Sequence, residues 1–290
     1  MKDPTRLYNR RNFLRLGFYG SGAGMFGYGS LIERRTPRIE RVTCPLPARH
    51  AGLDGLKIAV MSDFHHDEFH DDTLIGGAVE TMNSLKPDVV FFPGDFISRD
   101  VSGMDALVGH FQKIEARVGA FACLGNHDQW NAPKGVAKRL EQGGVSVLKN
   151  AATELRAPRT GERFVLAGLE SAWSGDPDLA KTLRGMNGDV PVLLGWHEPD
   201  PFDTITDGRV LLQMAGHTHG GQVCAPFYGA IRLPQYGRKY VAGLYGDERA
   251  RLYVTRGIGS MGVPVRFCCP PEISLVTLRA KTGDEDANRA

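Results

Sequence analysis

Apolar residues along this chain come in two kinds of run that alternate. Short runs of strand length occupy Leu56–Ser62, Asp88–Pro93 and Gly119–Leu124. The middle one, DVVFFP, is continuously apolar, the mark of a strand covered on both faces. Between and after them, Thr73–Leu85, Met104–Glu115 and Lys134–Gln142 carry apolar positions at helical spacing. The first of these helices stops ahead of Pro87 and the last at Gly143-Gly144. Beyond Gly144 the helical pattern thins, and Val145–Leu148, Arg163–Leu169, Val190–Gly195, Val210–Ala215, Leu252–Thr255 and Ser274–Leu278 predict strands joined by loops. A βαβαβα half followed by a mostly β half predicts two packed sheets flanked by helices rather than one doubly wound sheet. No internal repeat interrupts this body, which spans 38–280 and is followed by a polar tail, 281–290.

The chemistry sits at the ends of the predicted strands. Asp63, Asp95 and Asn126 each follow one directly, and ligands in open α/β sheets lie beyond the carboxyl ends of strands. Five clusters hold nearly all the unusual residues: Asp63-Phe64-His65, Gly94-Asp95, Gly125-Asn126-His127-Asp128, Trp196-His197-Glu198-Pro199, and Gly216-His217-Thr218-His219-Gly220-Gly221-Gln222. Imidazole and carboxylate together suit Mn²⁺, Zn²⁺ or Fe, whereas Mg²⁺ and Ca²⁺ want mostly oxygen. Glycines beside the clusters let backbone crowd close to an ion or substrate.

The ordered set DxH … GD … GNHD … H … GHTHGGQ resembles the calcineurin-like metallophosphoesterase superfamily, over about Lys57 to Leu278. The resemblance implies a four-layer α/β/β/α sandwich with a dinuclear metal site at the strand C-terminal ends. It implies one ion held by Asp63, His65 and His219, a second by Asn126, His197 and His217, and Asp95 bridging both. It further implies hydrolysis of a phosphodiester, phosphomonoester or pyrophosphate by a hydroxide held between two divalent ions. His127 would be a proton donor or charge stabiliser rather than a ligand. Asp128 would either orient that imidazole or form a surface ion pair. The protein Ser/Thr phosphatase branch carries GDxxDRG, but this chain has Ser98 where the second acid belongs and no Arg-Gly after it. The late segment RGIGSMGVPVRFCCPPEI and the N-terminus look more like an exported bacterial phosphodiesterase branch, some members of which act on lipid-linked sugar nucleotides.

That N-terminus reads Asn9-Arg10-Arg11-Asn12-Phe13-Leu14-Arg15 ahead of a moderately apolar stretch to Ile32, and it resembles a twin-arginine export signal. Residues 1–37 are accordingly set apart from the body as signal or anchor and linker, recognised by a twin-arginine translocase. A periplasmic or cell-envelope location, with membrane association through this segment, is the expectation. Its six glycines make it a poor helix by propensity. Lys2, Arg6, Arg10, Arg11, Arg15, Arg34 and Arg35 outweigh Asp3 and Glu33 by more than the whole chain's net +2, so the body is mildly acidic. It offers no electrostatic footprint for nucleic acid. The five cysteines have no CxxC spacing and read as small buried residues.

For substrate contacts the candidates are His66, next to a ligand, and Arg232, Arg238, Lys239 and Tyr240 in the loops after Gln222, since arginine offers paired donors to phosphate. Trp130 is a weaker candidate, while Met261, Val263, Pro264 and Phe267 read as ordinary packing, with an exposed apolar lip toward lipid as the alternative. Two readings compete with hydrolysis: a catalytically silent metal-binding envelope protein, and a module that merely buffers metal. The intact His127 argues against both.

Overall fold

A computed structural model describes residues 10–186 and 188–280. The tail 281–290 lies outside the described residues. Two six-stranded sheets face each other. The first has the order β1-β14-β2-β3-β4-β5, with β1 Arg38–Leu46, β2 Lys57–Val60, β3 Val89–Phe92, β4 Gly119–Ala122, β5 Val145–Val147 and β14 Glu272–Ala280. The second runs β12-β13-β9-β8-β7-β6, from β6 Ala151–Arg156, β7 Arg163–Gly168, β8 Val192–Gly195, β9 Val210–Ala215, β12 Gly243–Gly246 and β13 Arg251–Val254. β2 to β5 are parallel, as are β7 to β9, and the only antiparallel pairings in these two sheets are β14 with β2, β6 with β7 and β12 with β13. A small hairpin, β10 Cys224–Ala225 with β11 Gly229–Ala230, lies apart.

Strand alternation sorts the side chains into layers. Ile58 and Val60 of β2, with Val89 and Phe91 of β3, face the second sheet and meet Leu166, Leu193, Leu212 and Met214. Ala59, Val90 and Phe92 point the other way, onto α3 Asp72–Ser84, α4 Met104–Phe111 and α6 Pro133–Gln142 through Ile75, Val79, Met82, Leu107, Phe111, Val136 and Leu140. The fourth layer is thin. Val165, Ala167, Val192 and Leu194 are covered by Leu183, Val190, Trp196 and the single turn α7 Leu179–Thr182. The sandwich is therefore α/β/β/α with one well-built helical face.

Several elements depart from the sequence reading. β1, β6, β12 and the β10–β11 hairpin were not anticipated; β6 has no fully buried residue and lies at a sheet edge, so its apolar signal is weak. The Gly-rich N-terminal stretch, a poor helix by propensity, forms α1 Arg10–Leu31. Among the described residues no helix is long and apolar enough to cross a membrane. The end of α1 is docked: Gly29 O accepts from Arg266 N at 3.1 Å, and Tyr28 meets the Phe267 ring edge-on. Past its end, Arg34 pairs with Asp71, and Glu33 accepts from Cys269 N. Tertiary contact outweighs weak propensity here.

Candidate metal centre

Each predicted ligand stands in a loop that leaves a strand and turns sharply. Asp63 and His65 follow β2, Asp95 follows β3, Asn126 opens α5 Asn126–Asn131 after β4, His197 follows β8, and His217 and His219 follow β9. Five of these seven, Asp63, His65, Asp95, His217 and His219, have positive φ, between 43° and 72°. For residues with a Cβ that conformation costs of order 1 kcal/mol or more each, and it is tolerated where surroundings enforce it. The enforcement is visible. Asp63 accepts from His217 N at 3.0 and 3.1 Å, and Asp63 N donates to Gly94 O at 2.9 Å. A Cβ on Gly125 would lie 2.1 Å from Asp95 Oδ1, and one on Gly216 would lie 2.4 Å from Asp63 Oδ2, so both positions exclude any larger residue.

The buried donors converge in two sets. Asp63, His65 and His219 bring ligand atoms within 4.8 Å of one another, and so do Asp95, His197 and His217. Asp95 Oδ2 lies 3.1 Å from His197 Nε2 and 3.7 Å from His65 Nε2, between the two sets. His65 and His219 point their Nε2 atoms at each other across 3.1 Å. Asn126 Oδ1 is buried without a hydrogen-bond partner, and the inward Nε2 atoms of His65, His197 and His219 face only one another and the Asp63 and Asp95 carboxylates. Orphaned nitrogens and oxygens at this density are costly in a bare protein, and they fit two divalent ions. The outer ring atoms are committed: His65 Nδ1 to Ser98 Oγ at 2.9 Å, His197 Nδ1 to Pro93 O at 3.1 Å, and His217 Nε2 to Gln235 O at 2.7 Å. Such bonds aim the remaining nitrogen inward.

In the metal-free chain, burial alone would lower the His197 pKa, yet the Asp95 carboxylate outweighs it and pushes the imidazole up to about 10. Asp95 is held well below the usual carboxylate range because His197 and its other imidazole neighbours overcome the effect of burial. Burial pushes His65 down to about 4 and His219 well below the ordinary imidazole value. These two are neutral and ready to ligate.

His127 lines the cleft with Nδ1 bonded to Ser98 O at 3.0 Å, which leaves Nε2 for a substrate. Asp128 neither orients that imidazole nor sits at the surface. It is fully buried, and its two oxygens accept from the backbone N–H groups of Gly125, Asp95, Phe96 and Ile97 at 2.8–3.2 Å. A carboxylate with four amide donors has no capacity left for an imidazole; it is a pin that sets the turn after β3. Ser98, read in the sequence only as a missing acid, is the hub that holds both His65 and His127. No single-residue pattern distinguishes that role from an ordinary loop serine.

The centre opens into a cleft of about 850 Å³. Arg232 and Arg238 line it, but three of the other proposed substrate contacts do not. His66 is buried on the far side of the loop, 3.0 Å from Asp72. Lys239 and Tyr240 are both drawn to Asp203, at 2.6 and 2.9 Å, outside the cleft. Sequence neighbours of a ligand alternate in direction, and an acidic residue elsewhere claimed these side chains. Trp173, not anticipated, stands in the wall with its ring 4.9 Å from that of Trp130 and 5.7 Å from His217. Its loop is held by the buried Glu198, which accepts from Ala172 N at 2.8 Å and from the Ser171 hydroxyl. Across the cleft, Met261 and Val263 form part of the wall, whereas Pro264 and Phe267 do not. Gln222 clamps the lip by bonding Met261 N, Met261 O and Val263 O.

Residues 56–221 match the family model described as calcineurin-like phosphoesterase. The chain belongs to that family. It is 34% identical over 281 residues to the uncharacterized metallophosphoesterase YkuE of Bacillus subtilis, covering 94% of this chain and 98% of that one. It is 32% identical over 229 residues to the phosphodiesterase YaeI of Escherichia coli, covering 77% and 82%. It is 26% identical over 301 residues to the UDP-2,3-diacylglucosamine pyrophosphatase LpxG of Chlamydia trachomatis, covering 84% and 90%. As a member of the calcineurin-like phosphoesterases the chain is a phosphoric ester hydrolase, and its two donor sets fit a dinuclear centre.

Proposed function

We propose that this enzyme hydrolyses a phosphodiester or a pyrophosphate carrying a bulky group, with Asp95 shared between two ions. The observation that carries the reading is the pairing of two donor sets through Asp95 Oδ2 at the floor of a cleft far larger than a phosphate. The donor set of imidazoles, carboxylates and one amide favours Mn²⁺, Zn²⁺ or Fe over Mg²⁺. Two such ions, when bound, supply Lewis acidity toward the phosphoryl group and lower the pKa of water. His127 faces the leaving oxygen and supplies its proton, with Ser98 O fixing the ring from behind. Arg232 and Arg238 offer donors to a second anionic group. The bulky group lies against Trp130, Trp173, Ile231 and Leu233.

A lipid-linked pyrophosphate is a second reading. It draws support from the apolar lip Met261 and Val263, from exposed Phe227, Tyr228 and Ile231, and from the name of the LpxG relative. Export by a twin-arginine route to the periplasm or cell envelope, with α1 resting on a membrane surface, is also proposed. It rests on Arg10 and Arg11 in the sequence and on exposed Leu14, Phe18, Tyr19 and Phe26.

The test is Mn²⁺-dependent hydrolysis of bis(p-nitrophenyl) phosphate by the full chain beside His127→Ala. The variant should keep its metal and lose roughly 10²–10⁴ in turnover. Full activity in the variant removes His127 from the chemistry. A metal-loaded wild type that ignores this ester but cleaves a lipid-linked pyrophosphate establishes the second reading in place of the first.

A further inference from the structure

Three of the five cysteines gather behind the ligand loop. Val223 and Phe267 form a parallel bridge, with Cys224 N donating to Phe267 O at 2.8 Å and Phe267 N to Gln222 O at 3.0 Å. That register alone would set Cys224 beside Cys268. Cys268, however, has a φ of 51° and is exposed, and the turn it makes brings the buried Cys269 inward instead. Cys224 Sγ and Cys269 Sγ both contact Gly220 O, at 3.3 and 3.4 Å, and Cys269 Sγ also reaches His219 O at 3.2 Å. Cys44 and Cys123 belong instead to the core between the two sheets.

The segment that carries Cys269 is rigid. Arg266, fully buried, donates to Gly259 O, Arg256 O, Gly257 O and Cys269 O, and Glu33 accepts from Cys269 N. The ligand loop meets this wall through the bridge, the two thiols and the Gln222 side chain, which bonds Met261 and Val263. Two thiols that meet at one carbonyl oxygen, on segments already bridged, are placed to reach bonding geometry by side-chain rotation.

We propose that Cys224 and Cys269 are a disulfide-forming pair that ties the His217–Gly221 ligand loop to the Arg256–Cys269 wall. The reaction is exchange with a disulfide donor, either a small-molecule disulfide or a thiol–disulfide oxidoreductase. The Cys224 thiolate, the more accessible of the two, attacks one donor sulfur; a mixed disulfide forms and one donor thiolate leaves. The Cys269 thiolate then attacks Cys224 Sγ, the new S–S bond forms and the second donor thiolate leaves. The two protons from the cysteines end on the two donor thiols, and the pair's two electrons reduce the donor. Burial and the neighbouring Cys269 push the Cys224 thiol up to about 12, so exchange on the folded protein is slow. Once made, the bond is shielded by the burial of Cys269. The inference does not depend on the substrate or on export.

The experiment treats the full-length protein with oxidised glutathione, alkylates the remaining thiols under denaturing conditions, and maps peptides by mass spectrometry. One intramolecular crosslink joining Cys224 to Cys269 is expected, retained in Cys268→Ser and lost in Cys224→Ser and in Cys269→Ser. The oxidised form should melt about 5 °C or more higher than the reduced form, and should lose Mn²⁺ to EDTA several-fold more slowly. A crosslink through Cys268, bonds only between molecules, or five alkylated thiols after oxidation would overturn the pairing. A Cys224–Cys269 bond that leaves the rate of metal loss unchanged would overturn the tie to the ligand loop.

Discussion

At the floor of the cleft, His65, His127, His197 and His217 each have one ring nitrogen committed to a hydroxyl or carbonyl, and the Asp63 and Asp95 carboxylates each accept a backbone N–H. On the outer wall of the same cleft, Ile231 and Val263 project toward solvent, and Phe227 and Tyr228 at the nearby β10–β11 hairpin are more exposed still. The floor stores strain at five left-handed residues whose reacting side chains are themselves bonded; the wall is braced through its backbone, by Gln222 and Glu198, and leaves apolar side chains as contact surface. Chemistry at phosphorus demands fixed donors, whereas a bulky group needs only a surface that excludes water. The difference teaches where substitutions should act on turnover and where on binding.

The sharpest break of that contrast is at Asp95. Asp95→Asn should empty both metal positions together and cost about 10³ or more in kcat/KM, read by metal analysis and kinetics; normal metal content would contradict the shared role. Ser98→Ala keeps the carbonyl that holds His127 but removes the hydroxyl that holds His65. It should weaken metal affinity about 10–100-fold, measured by competition with a chelator, and unchanged affinity would reduce Ser98 to a spacer.

The pH dependence of metal uptake tests the charge of the floor. In the metal-free fold His197 is raised from about 6.5 to about 10, so its pairing with Asp95 stabilises that fold fully below about pH 6.5. That contribution is lost as pH rises through 10. An incoming ion must displace this proton, so affinity should rise about tenfold per pH unit between pH 7 and 9. Calorimetry in buffers of different ionisation enthalpy should show at least one proton released; none released would mean that His197 is neutral in the metal-free protein. The smallest effect belongs to the wall. Trp173→Ala should raise KM for an aromatic diester by about threefold to tenfold while leaving metal content and kcat nearly unchanged. A fall in kcat of similar size would show that the wall also positions the reacting group.

The strands that deliver the site were legible because β2, β3 and β4 are apolar runs ended by Asp63, Asp95 and Asn126. The candidate ligands were legible because their Asp, Asn and His clusters follow strands and occur in the order of the motif set that the chain resembles. The surroundings were not. Asp128 beside His127 invites an imidazole contact, but the helix start at Asn126 turns its carboxylate back onto four amides. His66, one residue beyond a ligand, points away for the same local reason. Lys239 and Tyr240 follow Arg238, yet Asp203, distant in sequence, holds them outside the cleft.

What the sequence by itself determined is the periodic pattern, hence two sheets with a helical face, and the donor types that select divalent ions. Both are local properties: side-chain period follows from backbone geometry, and ligand preference follows from the atoms offered. Only the tertiary structure decided how closely the donors converge, with Asp95 Oδ2 lying between the two sets that the resemblance implied. It also decided that Ser98 serves two histidines, that α1 forms despite its glycines, and that the Cys224 and Cys269 thiols converge on Gly220 O while Cys268 is exposed. Those outcomes depend on left-handed turns and on contacts between residues far apart in the chain, where packing outweighs local preference.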